Sequence, residues 1–206
     1  MTATDQALAS SSEVPLSLRG PASTSVVAGY GFWLFLLSDI ILFAALFAAY
    51  AVLSDATAGG PGGALLFDKN RVFLETGCLL ASSFTCGLGS LAVQREDRAA
   101  TFRWMSITFL LGFIFLCLEV NEFAGLVRAG NGPTRSAFLS AFFTLVGTHG
   151  VHVATGLIWL LVMMAQILTL GFRPMVARRM FCFGLFWHAL DIVWVGVFTI
   201  VYLGAR

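Results

Sequence analysis

The chain has 206 residues, 58% of them hydrophobic and only 11% charged, with a formal net charge of +1. A water-soluble domain typically carries about 25% charged residues. This composition therefore excludes an ordinary soluble enzyme and directs attention to apolar runs of about 20 residues, the length that crosses a bilayer.

In chain order, residues 1–28 (MTATDQALASSSEVPLSLRGPASTSVVA) come first, small and polar with two prolines. A basic start leading into a short apolar core is missing, so the segment is expected to be a tail that docks on a partner rather than a cleaved signal peptide. Five apolar segments follow, over roughly 30–54, 72–93, 104–127, 138–170 and 181–203. At about 1.5 Å rise per residue each can cross the hydrocarbon, and the fourth is long enough to tilt or project beyond it. The expected architecture is all-α, a bundle of five transmembrane helices over 29–206. The connections are short and turn-rich: DATAGGPGG within 55–71, QREDRAATFR at 94–103, RAGNGPTRSA at 128–137 and GFRPMVARRM at 171–180. None is long enough to fold a soluble domain, so any chemistry lies inside the bundle or on a partner.

Basic residues orient the bundle. Arg19, Arg95, Arg98, Arg103, Arg173, Arg178 and Arg179 fall on the N-terminal side; Lys69, Arg71, Arg128, Arg135 and Arg206 fall on the other. The bias predicts a cytoplasmic N-terminus and an external C-terminus. Cys78, Cys86, Cys117 and Cys182 all lie within spans, without CxxC spacing, and read as small packing residues. The second span adds Ser82 and Ser90 at four-residue spacing from Cys86, and Ser83 four before Gly87. That stripe of small residues lets a neighbouring helix approach closely.

The informative residues are ionisable groups inside apolar helices, where each costs about 2.5–3.5 kcal/mol on insertion scales. Asp39, beside Ser38, sits well inside the first span. With no Lys or Arg in reach along its own helix, it is expected to be protonated. Glu75 lies near the outer start of the second span. Glu119 and Glu122, three apart on one face, lie near the outer end of the third. His149 and His152 share a face of the fourth span by the same spacing, as His188 and Asp191 do on the fifth. Counted along the helices, Asp39 and the His149, His152, His188 and Asp191 set fall near mid-membrane, with the glutamates nearer the outer surface. Three readings stay open: structural polar contacts that fix helix register, phospholipid headgroup binding aided by arginines at helix ends, or direct chemistry through a metal, haem or proton relay. Three histidines are too few for two bis-histidine haems. The di-iron Glu-x-x-His pairing is absent, and there is no GxSxG, P-loop or GxGxxG fingerprint. No catalytic residue and no metal ligand is therefore assigned. On the residues alone, the chain is a subunit of a larger complex or a small proton-coupled transporter using Asp39, His149 and Asp191.

Several segments, in order, are GFWLFLLSDIILFAALFAAYAVL, TAGGPGG, ETGCLLASSFTCG, EVNEF, GPTRSAFLSAFFTLVGTHGVHVATGLIW and LFWHALDIVWVGVFTIVYL. Their order and spacing over about residues 29–204 resemble subunit III of the haem–copper terminal oxidases, most closely the five-helix form of the cytochrome bo-type ubiquinol oxidases. The resemblance implies a non-catalytic wall of a proton-pumping quinol oxidase in a bacterial inner membrane. It would stabilise the catalytic subunit and hold structural phospholipid. Haem b, haem o and copper would sit in subunit I, with subunits I, II and IV as partners and no nucleic acid. Asp39 falls where cytochrome c oxidase relatives commonly carry a glutamate in the same Ser-acid pair, a side chain one methylene longer. A cytochrome c or caa3-type subunit III is the alternative within the family.

Overall fold

The computed structural model describes residues 24–204 and contains no β-strand among them. Its helices are α1 (Thr24–Leu53), a single turn α2 (Gly63–Leu66), α3 (Lys69–Gln94), α4 (Arg98–Arg128), α5 (Ala137–Leu170) and α6 (Pro174–Val197). The chain runs from α6 directly into a π-helical turn, Phe198–Leu203. Five of these segments are long and apolar enough to cross a membrane, so the protein is a multi-pass membrane protein of all-α class. The tail expected over 1–28 lies outside the described residues as far as 23, and Arg206 also lies outside them. α1 starts at Thr24, ahead of the expected boundary, and the other spans also extend past the apolar cores into their polar ends. α5, at 34 residues, is the longest, about 51 Å at helical rise.

Residues up to Phe35 form one compact unit and those from Leu36 onward a second. The described part of the first is the opening of α1, where the rings of Phe32 and Phe35 lie 5.6 Å apart.

Helix ends follow local chemistry. Asp68 caps α3 by accepting from the Asn70 amide at 3.0 Å, Asp97 caps α4 through Ala100 N–H at 3.0 Å, and Ser136 caps α5 through Leu139 N–H at 3.2 Å. Pro174 stands in the first turn of α6, where its missing N–H removes no intrahelical bond. Gly171 ends α5 at φ 67°, a left-handed conformation suited to glycine. Arg98 then donates to the Ile167 and Leu168 carbonyls at 2.7 Å each, tying the start of α4 to the open end of α5.

In a membrane, apolar surface alone does not drive helices together, so close approach and interhelical hydrogen bonds must. Two tryptophans of α6, one heptad apart, do this. Trp187 lies in a slot between Gly112 of α4 and Gly156 of α5, where an added Cβ would fall 2.9 Å from its ring on either side. Its Nε1–H donates to Ser82 Oγ of α3 at 3.1 Å. Trp194 Nε1–H donates to Thr76 Oγ1, also of α3, at 3.1 Å, and its ring stands edge-on to Phe115 at 4.6 Å. α3 and α4 are joined further by Thr85 and Thr108, hydroxyl to hydroxyl at 2.8 Å. Phe67, Phe138, Phe142 and Tyr202 close the end of the bundle that holds α2.

Candidate functional site

The ionisable residues form two groups at different depths. The first lies where α3 begins and α4 ends. Arg71 and Glu75 are one turn apart, Nε to Oε1 3.3 Å, and the Arg71 guanidinium also donates to the Leu118 carbonyl of α4. Glu119 and Glu122 follow on α4. The Glu119 carboxyl presses against Gly150 of α5, where an added Cβ would sit 2.7 Å from Oε1. Tyr202 O–H, presented by the π-helical turn, donates to Glu122 Oε2 at 3.2 Å. Glu75, Glu119 and Glu122 are 0%, 2% and 8% exposed and lie within electrostatic reach of one another. Glu75 Oε2 and Glu119 Oε2 have no hydrogen-bond partner among the described residues.

The second group lies towards the middle of the helices. His149 is fully enclosed, with the rings of Trp194 at 5.2 Å, Phe115 at 5.8 Å and Phe43 at 6.3 Å, and neither of its nitrogens meets a partner among the described residues. His152 Nδ1 lies 2.7 Å from the Thr148 carbonyl, which can only accept, so this nitrogen carries the proton. Its Nε2 faces Asp39 Oδ2 of α1 at 3.8 Å. His188 Nδ1 meets Ser83 Oγ of α3 at 2.7 Å. Asp191, one turn along α6, has Oδ1 without a partner among the described residues.

Asp39 lies near His152 of α5, a neighbour that spacing along its own helix does not reveal. Asp39, His152, His188 and Asp191 are half-buried in this chain, not enclosed. His149 and His152 share a helix but not an environment, since one is sealed among rings and the other reaches a carboxylate. Arg71 and Tyr202 join the glutamates without having been singled out from the sequence. Arg71 was legible through its four-residue spacing to Glu75, whereas Tyr202 had no local signal.

Among the described residues no three His, Cys, Asp or Glu side chains are grouped so as to hold a metal ion. The arrangement can fix helices to one another and hold charge and protons in a water-poor interior. The fold and these groups define a five-span membrane protein with glutamates and a histidine buried in its interior. The family described as cytochrome c oxidase subunit III matches residues 14–205, and the chain belongs to that family. It is 53% identical over 174 residues to cytochrome bo(3) ubiquinol oxidase subunit 3 of Pseudomonas aeruginosa, covering 84% of this chain and 83% of that protein. It is 52% identical to the protein of the same name in Pseudomonas putida, covering 84% of each. It is 46% identical to cytochrome c oxidase subunit 3 of Bacillus sp. (strain PS3), again over 84% of each. Membership of this family leaves the free-standing transporter reading without support.

Proposed function

We propose that this chain is the subunit III of a proton-pumping quinol oxidase in a bacterial inner membrane, a non-catalytic wall that stabilises the catalytic subunit and retains phospholipid. The observation that carries the reading is the identity above 50%, over most of both chains, to two subunits named for ubiquinol oxidation. On this reading haem b, haem o and copper belong to subunit I, and subunits II and IV complete the assembly. The N-terminal segment ahead of α1 docks on one of these partners. The N-terminus is cytoplasmic and the C-terminus periplasmic, in line with the arginine bias.

Two features support the wall and lipid roles. α1 leaves Leu37, Ile40, Ile41 and Leu42 exposed, an apolar face fit for lipid or a hydrophobic partner. A groove of about 290 Å³ between α3 and α6 is lined by Gly87, Ser90, Val93, Phe181 and Gly184 and ends at His188. Arg178 stands near the start of α6, at the opposite end of the groove from His188, the arrangement that suits an acyl chain in the groove and an anionic headgroup above it. The 46% identity to a subunit named for cytochrome c oxidation favours one second reading, the same wall in an oxidase with a different electron donor.

Deletion of the gene, followed by assays on native membranes, tests the role. Lower complex yield or faster inactivation during turnover is expected, with loss of bound phospholipid and with haem chemistry intact in whatever assembles. Unchanged yield, lifetime, lipid content and proton pumping would refute it. Quinol against cytochrome c as electron donor to the purified complex separates the two oxidase readings.

A further inference from the structure

Three carboxyl side chains and one guanidinium share the enclosed space between α3, α4, α5 and the π-helical turn. From α3 come Arg71 and Glu75, from α4 Glu119 and Glu122, and from the turn the Tyr202 hydroxyl. Asp68, the cap of α3, acts on Glu122 electrostatically. α5 contributes only the backbone at Gly150, because His149 beside it is closed off by rings. Three ionised glutamates opposite Arg71 would leave two negative charges uncompensated in surroundings that exclude water, which protein interiors do not tolerate. The hydrogen bonds point the same way. Arg71 serves Glu75 Oε1 and Tyr202 serves Glu122 Oε2, each a donor suited to an anionic oxygen. Glu119, 2% exposed and aimed into the cluster against Gly150, has no donor on Oε2 among the described residues, and Glu75 Oε2 has none either. A carboxylate stripped of donors is costly to bury, whereas a neutral carboxylic acid costs far less. Protons on the carboxyls would compensate the excess charge without a further side chain. π-helical turns occur frequently at functional sites, and the one here is what carries Tyr202 to Glu122.

We propose that Glu75, Glu119 and Glu122 form a buried proton-binding site that holds two protons among three carboxyls, with Arg71 balancing the remaining negative charge. Glu119 is an acid throughout, and the second proton rests on Glu75 or Glu122. The site lies at the end of the bundle where α3 begins, with Arg71, whose side chain is 26% exposed, on its outer side. It exchanges protons with the water at that face.

Infrared difference spectra of the assembled oxidase, wild type minus variant, count the acids through the carbonyl stretch of protonated carboxyls. Glu119→Gln is expected to remove one carboxylic-acid band. Glu75→Gln combined with Glu119→Gln removes a second, leaving Glu122 ionised beside Arg71. The bands shift in deuterium oxide, slowly for Glu119. Wild-type and doubly substituted complexes with identical acid bands would mean that all three groups are ionised, and this overturns the proposal. A bound alkali cation released from the wild type alone would do the same. Where a Gln variant does not assemble, Glu119→Asp and Glu75→Asp keep the carboxyl and must move the acid band without abolishing it. No movement in either is equally fatal.

Discussion

Gly156→Ala adds a single methyl group at the narrowest place in the bundle. Its Cβ would fall 2.9 Å from Trp187 Cζ3, 3.1 Å from Cε3 and 3.2 Å from Phe186 Cε1. Carbon atoms pack best at about 3.5–4.0 Å, so the nearest approach is short by about 0.6 Å. A flexible side-chain tip could swing away, but the indole cannot. The space at Gly112 is as tight, at 2.9 Å from Cη2 and Cζ2 of the same ring, and its Nε1–H is tied to Ser82. Overpacking of this kind costs about 1–3 kcal/mol. Elsewhere in a helix the change from Gly to Ala gains up to about 1 kcal/mol from propensity, so the two terms oppose and the steric one should win here. The assay is the thermal midpoint at which this subunit leaves the purified complex, compared with Gly125→Ala on α4, where an added Cβ meets nothing within 4 Å. Gly156→Ala should lower the midpoint, while Gly125→Ala leaves it unchanged or raises it. Adding Trp187→Leu should recover part of the Gly156→Ala loss, the non-additivity expected of residues in contact. Equal midpoints for the two alanine variants, or a double variant whose losses simply add, would refute the slot.

Three further outcomes follow from other contacts. Arg98→Gln frees the Ile167 and Leu168 carbonyls and should cost about 1 kcal/mol, read from the same thermal midpoint; an unchanged midpoint would show that water replaces the guanidinium without loss. Ser83→Ala leaves His188 Nδ1 without its partner and should also destabilise by about 1 kcal/mol, whereas Ser83→Thr, which keeps the hydroxyl, should not; equal effects would count against the bond. For orientation, single cysteines at Ala56 and Ala99, in a chain lacking its native cysteines, are exposed to an impermeant thiol reagent in spheroplasts. Labelling at 56 and not at 99 is expected, and the reverse pattern inverts the topology.

The sequence by itself determined the class. Five apolar runs of membrane-crossing length, separated by connections too short to fold, leave no other architecture. The turn chemistry of those connections lies in the same segments in which Asp97, Ser136, Gly171 and Pro174 shape the helix ends. The ordered segments also carried the family. Which ionisable side chains meet was a different matter. Spacing along a helix puts Glu119 with Glu122 and Arg71 with Glu75, because residues three and four apart are neighbours whatever surrounds the helix. It does not say how one helix is rotated against the next. In a soluble bundle an amphipathic stripe would supply that rotation; in lipid both the buried and the outward faces are apolar, so the stripe is weak and the rotation goes unrecorded. Only the tertiary structure could bring His152 of α5 to Asp39 of α1, Ser83 of α3 to His188 of α6, and Tyr202, 80 residues from Glu122, to the carboxyl cluster. What chose that arrangement was the fit of Trp187 between Gly112 and Gly156 and the hydrogen bonds from both indoles to α3, contacts that depend on the shapes of several helices at once.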